Sequence, residues 1–584
     1  MKKFLFLAMA FGLAACSIDD ANDLKGVTDG EGIQQYLSVN LVPAPVNTRA
    51  EGDTHTGDPD NATYEEGYKA ENTVNAVRFY FFDADGKAAD VKTNGNNYFD
   101  WTENIKEDGD NMPNVEKLLQ AVVVIETPQG DELPAKIAAV INPETEALGA
   151  GNLSLAELRD RTNDYVAAIT AEQNPGFVMM NAVYANGAEE VTATDVTSKN
   201  YAPSPEAAMA NPVNIYVERN VAKVRVKFAE SVGVTANNRI ALKDKDDEDI
   251  KVNDKQVYLE LGNWNLTAYT DKGYLSKHID AQAWNTAAPF ANWNWAPYFR
   301  SYWAKNTEKA EQSWISYDTI NDGGQEYGSE KNSNIIYTNE NAPQTKVIAA
   351  EASTYADFTK VIIAGKLVDE DGEVIDITKY AGIMSAGESN LVKAMLNNLT
   401  TGNSMIYSYT ETDDELIFNA LDEKDVEFVT ALTANQAVAE EDNEGGRYYV
   451  YLQLTEDAAK LNWSKTDDEA TYQNEGNLFA NGAAVNEYLI ANLGKAQVYK
   501  GGLTYYYFPI RHLAGAETSI GYYGVVRNHI YDCNITELVG LGTPVYDPKE
   551  TIYPEHPSED DTYIAARINI LSWRLVSQDT ELKW

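Results

Sequence analysis

Between Ile215 and Phe228 the apolar residues keep to odd positions as far as Val221 and then move to even positions at Val224, Val226 and Phe228. Successive side chains of a strand point to opposite faces, so a one-residue slip of this kind exchanges the faces. The chain must bulge here or pass from one sheet to another, which predicts a domain boundary near residue 220. Period-two stretches recur on both sides of it. Val77, Phe79 and Phe81 precede Asp85-Gly86, and Leu367-Val368 and Val374-Ile375 flank Asp371-Gly372. Such Asp-Gly pairs predict tight hairpins, since Gly tolerates the positive φ the turns require. Further strands are expected at 136–141, 177–184, 257–269, 346–368, 448–454, 505–510 and 525–535. Only two helices stand out: 388–399, with a stripe of Leu391, Met395, Leu396 and Leu399, and roughly 154–168. The expected fold class is all-β with a few short helices.

Composition narrows the function. The 584 residues include 46 basic and 90 acidic side chains, a net charge of −44. A field of that sign repels phosphate backbones and anionic headgroups, which argues against nucleic-acid binding and electrostatic membrane docking. With 44% apolar residues the chain can build real cores, and its length suits two to four domains. Five His and two Cys leave little material for metal clusters or a disulfide framework. His529 and Cys533, with His512 upstream, are the nearest approach to a metal site or a Cys-His nucleophile, and no orienting carboxylate stands at a known spacing. Two acidic runs, Asp83-Ala84-Asp85-Gly86 and Asp244 to Asp249, hint at calcium loops. The twelfth positions are Asn94 and Lys255, where a bidentate Glu is needed, so solvated turns are the expectation. Phosphate-binding, zinc-protease and nucleophile-elbow signatures are missing from the sequence. No enzyme, cofactor or metal is expected.

The two ends carry more information. Lys2 and Lys3 precede an apolar run from Phe4 to Leu13, which is the layout of a secretory signal peptide and too short to span a bilayer. It ends in Leu13-Ala14-Ala15-Cys16, similar to a bacterial lipoprotein box, so Cys16 is the expected lipidation site and Cys533 is left without a disulfide partner. A strand follows in which Ile33, Leu37, Val39 and Leu41 share one face, closed off by Pro43 and Pro45. Next comes Asn47-Thr48-Arg49-Ala50, leading into a polar, Asp- and Gly-rich stretch. An Arg on an exposed segment behind a strand is a natural protease site, with cleavage between Arg49 and Ala50.

At the other end, Leu541 to Thr562 carries four prolines and four clustered acids. Prolines and like charges keep such a segment extended, up to about 65 Å at about 3.1 Å per residue. Beyond it Ile564, Ala566, Ile568 and Ile570 alternate, and after a shift so do Trp573 and Leu575. A strand buries an apolar face only by joining a sheet, and this chain has a detachable strand at each end. Removal of the front strand, with Leu37, Val39 and Leu41, would leave unpaired backbone and an open groove that the rear strand of another copy can fill through Ile568, Ile570, Trp573 and Leu575. Donor and acceptor lie on different surfaces, so the contact is head-to-tail and builds an open filament.

Several of these segments resemble the fimbrillins of Bacteroidales, most nearly the shaft subunit of the minor fimbrium. The resemblance rests on the Cys16 lipobox, the strand ending at Asn47-Thr48-Arg49-Ala50, Val217-Glu218-Arg219-Asn220-Val221-Ala222-Lys223, Tyr274-Leu275-Ser276-Lys277, Val525-Val526-Arg527-Asn528-His529-Ile530-Tyr531 and Ile568-Asn569-Ile570-Leu571-Ser572-Trp573-Arg574. It implies two transthyretin-like β-sandwich domains, a lipidated outer-membrane precursor, cleavage by an Arg-specific surface protease, and polymerisation by exchange of the C-terminal strand. Implied partners are copies of the chain itself with fimbrial anchor and tip subunits, and the implied location is the cell-surface fimbrium. The expected segments are a signal peptide at 1–16, a propeptide with the removable strand at 17–49, sandwich domains at 50–220 and 221–541, and a linker with the donor strand at 542–584. Two features depart from the pattern: the linker holds fewer prolines, and Ser572 stands where a Pro often precedes the Trp. An alternative function is suggested by Trp284, Phe290, Trp293, Trp295, Tyr298, Phe299, Tyr302 and Trp303, rings that could stack on sugars in a surface glycan-binding lipoprotein.

Overall fold

The computed structural model describes residues 33–43, 64–66, 71, 73–91, 95–101, 107–108, 118–127, 133–143, 148–149, 151–164, 176–186, 189–279, 307, 312–324, 335–341, 358–412, 415–434, 448–512, 523–552 and 563–574. Strands dominate, helices are few, and the fold is all-β. The strands that bear on function are β1 (Ile33–Pro43), β2 (Tyr64–Glu66), β3 (Leu118–Thr127), β4 (Val213–Arg219), β5 (Ala222–Phe228), β6 (Ile335–Thr338), β7 (His529–Val539) and β8 (Tyr563–Arg574).

The first sheet runs in the order Tyr98–Trp101, Val77–Phe82, Lys136–Ile141, Met179–Asn181, β4, β1, β3, Glu107–Asp108. Alternation decides what each face does. Phe79, Phe81, Ile137, Ala139 and Ile141 join Leu37, Val39 and Leu41 in one core. Their sequence neighbours Tyr80, Phe82, Ala138 and Val140 pack on Leu148, Leu153 and Leu158 in another. Helix α1 (Leu155–Arg159) supplies Leu158 and is capped by Ser154, whose hydroxyl accepts from the Glu157 N–H while the Glu157 carboxylate accepts from the Ser154 N–H. The expected helix over roughly 154–168 is corrected here. Leu158 is its one buried side chain, so there is no apolar stripe to carry the helix further. Thr162–Asp164 pairs instead with Lys272–Tyr274 as a strand.

The change of face near residue 220 is a passage between sheets: β4 lies in the first sheet, and β5 in a second ordered β2, β8, β7, β5, β6. A third sheet, Arg239–Ala241, Tyr258–Thr267, Lys360–Val368, Leu503–Pro509 and Thr543–Pro544, faces the second. Between them lies a core in which Val224, Val226, Tyr531, Cys533 and Ile535 meet Trp264, Leu266, Val361, Ile363 and Tyr506. The expected hairpins form, with Gly86 at φ 83° and Gly372 at φ 90° and bridges Phe82↔Ala88 and Val368↔Val374.

The expected helix at 388–399 forms, and it belongs to a separate lobe. Strand Ile377–Tyr380 lies between Ile383–Ala386 and Gln497–Tyr499, and the residues connecting those neighbours form a lobe of their own. Its core joins helix α2 (Glu388–Thr401), through Leu391, Met395 and Leu399, to helix α3 (Gly482–Leu493), through Val485, Leu489 and Leu493. Phe428, Leu452 and Trp463 complete it.

Candidate functional site: two terminal strands and the charged joint beside them

β1 is an interior strand of its sheet. It pairs antiparallel with β3 from Ile33↔Thr127 to Leu41↔Leu119, and parallel with β4 from Val39↔Val213 to Pro43↔Val217. Leu37 and Val39 are 0% exposed and Leu41 is 2%, packed in the core that Val123, Ile125, Ile215 and Val217 line. On the alternate positions Ser38 and Asn40 are also buried, and Asn40 Nδ2 donates to Asn214 Oδ1 at 3.0 Å. Three fully buried aliphatic side chains contribute roughly 1.5–3 kcal/mol each. Removing β1 would therefore uncover an apolar slot and leave two rows of unpaired backbone groups facing each other, on β3 and on β4.

β8 pairs antiparallel with β7 from Val539↔Tyr563 to His529↔Ser572, across a bulge between Ile535 and Glu537. On its other side β2 pairs with it in parallel, Tyr64↔Ser572, Glu65↔Trp573 and Glu66↔Arg574. The strand containing Ile568, Ile570 and Trp573 thus lies on the second sheet of its own chain. It runs unbroken from 563 to 574. Cys16, Arg49, Ala50 and Leu575 lie outside the described residues, as do the aromatic residues 284–303 behind the glycan reading.

Where the first sheet meets the second, charged side chains are buried together. Lys277 Nζ lies 3.1 Å from Glu218 Oε2, Arg527 Nη2 lies 2.7 Å from Glu340 Oε2, and Lys223 Nζ lies 3.0 Å from Glu71 Oε1. Arg527 also donates to Asn220 Oδ1 and to the carbonyls of Leu275 and Tyr274. Arg219 donates to the Glu71 carbonyl and to Asn528 Oδ1, and the Tyr337 hydroxyl donates to Glu71 Oε1 at 2.6 Å. Burial holds the Glu218 carboxyl above the usual carboxylate range, against the pull of Lys277 and Arg527. Segments 217–223, 274–277 and 525–531, far apart in sequence, converge at this joint. Nothing in the sequence shows that they meet.

The chemical candidates resolve into structure. Asp83 Oδ1 accepts from the N–H groups of Asp85 and Lys87, Asp244 Oδ1 from those of Asp246 and Glu248, and Asp369 Oδ1 from those of Asp371 and Glu373. The acidic runs are therefore self-closing turns. Among the described residues no group of three or more His, Cys, Asp or Glu could hold a metal ion. Burial pushes the Cys533 thiol well up, the wrong direction for a nucleophile. The His512 ring stands 5.2 Å from that of His529 and its Nδ1 shares a hydrogen bond of 2.8 Å with the Tyr531 hydroxyl, in ordinary core packing.

Residues 497–579 match the family model described as major fimbrial subunit protein type IV, fimbrillin, C-terminal. This part of the chain is similar to the C-terminal region of fimbrillins. It contains β7, the connection beyond it, and β8. Solved structures similar to the chain include the tip fimbrial protein Mfa3 from Porphyromonas gingivalis with C-terminal truncation, at 10% identity and a TM-score of 0.31, covering 93% of this chain and 100% of that one. A fimbrilin (fimA) from Porphyromonas gingivalis W83 is similar at 12% identity and a TM-score of 0.32, covering 93% and 98%. A fimbrial assembly protein from Parabacteroides distasonis ATCC 8503 is similar at 10% identity and 0.29, covering 67% and 100%. A search of curated proteins finds no match to the sequence. The matched segment resembles part of a fimbrial subunit, a structural protein, rather than part of an enzyme.

Proposed function

We propose that the protein is a shaft subunit of a cell-surface fimbrium that supports adhesion or biofilm formation. It is exported as a lipoprotein precursor acylated at Cys16, cut between Arg49 and Ala50 by an Arg-specific surface protease, and polymerised as its C-terminal strand enters the next copy. The observation that carries this reading is the interior position of β1. An edge strand can leave a sheet and abandon one row of backbone groups. An interior strand leaves a slot with two such rows and an apolar floor, and only another strand satisfies both at once.

The rear strand has the means to be that strand. The expected linker over 541–562 is corrected in its first half, where Thr543–Pro544 pairs with Leu503–Pro509 and Val545 and Ile552 are buried, so the tether is the ten residues 553–562. The alternation of the strand beyond it at Ile564, Ala566, Ile568 and Ile570 matches the period of Leu37, Val39 and Leu41. In the uncut chain each slot is filled from within, β1 in the first sheet and β8 in the second. This keeps the precursor from assembling too early. Anchor and tip subunits would terminate such a filament at its two ends.

The test is to incubate purified precursor with an Arg-specific protease, with and without residues 564–584. Filaments from the full chain and none from the truncated one are expected in electron micrographs, with Ala50 as the new N-terminus by mass spectrometry. Filaments from both would end the donor assignment. An intact, acylated Cys16 on protein sheared from cells would favour a monomeric lipoprotein.

A further inference from the structure

Three features converge on the short strand β2. First, β2 continues the pairing of β8 beyond the point where β7 stops. The β7 register ends at His529↔Ser572, whereas β2 pairs with Ser572, Trp573 and Arg574. Second, β2 follows Arg49 in sequence, so the cut that frees β1 leaves β2 on the mature chain. Third, only four residues separate Glu66 from Glu71, and Glu71 is fixed in the buried joint. Its carboxylate stands 3.0 Å from Lys223 Nζ and accepts from Tyr337, and its carbonyl accepts from Arg219.

The position of that anchor matters. Lys223 belongs to β5, three strands away from β2 in the order β2, β8, β7, β5. Three strand spacings amount to about 14 Å, and the five steps from Glu66 to Glu71 reach about 17 Å when extended. The connection is just long enough to bind β2 at one side of the sheet while Glu71 binds at the other. Glu71, anchored so few residues away in sequence, gives β2 a high effective concentration beside β8.

We propose that β2 is a clamp that holds β8 in place after the precursor has been cut, so that opening the β1 slot and releasing the C-terminal strand are separate events. This rests on the reading of β8 as the donor. A paired strand comes away by fraying from an end, and β2 covers the 572–574 end. Loss of the propeptide leaves it in place, because the short connection to Glu71 holds it rather than the longer one to β1. The filament then grows only when an arriving acceptor slot competes β8 away from both β7 and β2.

Hydrogen exchange on the uncut full chain tests the clamp directly. Glu65→Pro removes a backbone donor from β2, and amides at 572–574 should then exchange about tenfold faster, followed by the rest of 563–574, with amides of 33–43 unchanged. Replacement of 64–66 by Gly-Ser-Gly should do the same and guards against a local effect of proline. Unchanged exchange at 572–574 in both variants overturns the clamp. A second variant keeps the donor reading separately testable. Glu66→Cys with Arg574→Cys joins register partners, and the oxidised protein, once cut, should form no filaments until a reductant is added. Filaments from the cut but still oxidised protein would overturn β8 as donor, whatever the exchange data show.

Discussion

Glu71 Oε1 and Lys223 Nζ stand 3.0 Å apart with neither side chain reaching water, joining the segment that follows β2 to β5 of the second sheet. The Tyr337 hydroxyl completes the arrangement. Such a pair gains little over an apolar replacement, but losing one partner strands a charge in a low dielectric. Glu71→Ala should therefore lower stability by about 3–5 kcal/mol in urea denaturation. The double variant Glu71→Leu, Lys223→Met should recover most of that loss. A single variant no worse than the double would show that the pair is solvated in solution.

Glu218 gives the joint a pH dependence of definite sign. Its folded-state carboxyl is held above the ordinary value of 4.5 by burial, so the folded chain keeps a proton that the unfolded chain has given up. Stability contributed at this position is complete below about pH 4.5 and falls as pH rises through the window up to the folded-state value. Lys277 and Arg527 limit the fall, and Glu340 adds to it. In Glu218→Gln the slope should vanish, so the stability gap between wild type and variant should shift against the wild type as pH rises. Urea midpoints at several pH values between about 4 and 8 measure it, and a gap moving the other way would refute the assignment.

The lobe between Ile383–Ala386 and Gln497–Tyr499 has a core of its own and should be separable. Ala386 and Tyr499 both lie opposite Ile377, on either side of it, so a link replacing the lobe has to bridge about 10 Å, two strand spacings. A chain in which residues 387–496 are replaced by six Gly and Ser residues should keep the slow exchange of β7 and β8 and lose the helical circular-dichroism signal of α2 and α3. Fast exchange throughout 529–539 would mean that the lobe supports the sandwich.

How far the sequence reveals this structure depends on the kind of burial. Leu37, Val39 and Leu41 are legible because apolar and polar residues alternate every second position along the strand, and the same period exposes the change of sheet between β4 and β5. The joint is not legible that way. Glu218, Arg219, Lys223 and Arg527 carry charges that ordinarily face water, and only tertiary pairing with partners 59 to 309 residues away in sequence offsets the cost of their burial. Alternation in β8 announces a face to bury without saying which sheet will bury it, so its home beside β7 had to come from the fold. Helix α3 was missed although Val485, Leu489 and Leu493 stand four apart, because Ala and Gly surround them and the polar Asn481 that caps it resembles any turn residue. The expectation over 154–168 runs past the end of helix α1 because residues 160–168 hold no Gly or Pro to mark a finish.

Leu37 offers the sharpest separation between the uncut and the assembled states. In the precursor its side chain is fully buried, and Leu37→Ala should reduce stability by about 2–5 kcal/mol through lost burial and the cavity left behind. On the proposed reading, a cut after Arg49 removes the residue with the propeptide and another strand takes the slot. Filaments grown from Leu37→Ala precursor should therefore resist denaturant as well as wild-type filaments do. The precursor alone should unfold at lower urea, and should be cut faster at Arg49 because its first sheet opens more often. If the filaments are weakened in proportion to the precursor, β1 stays in the mature protein, and the slot it fills is never offered to a neighbour.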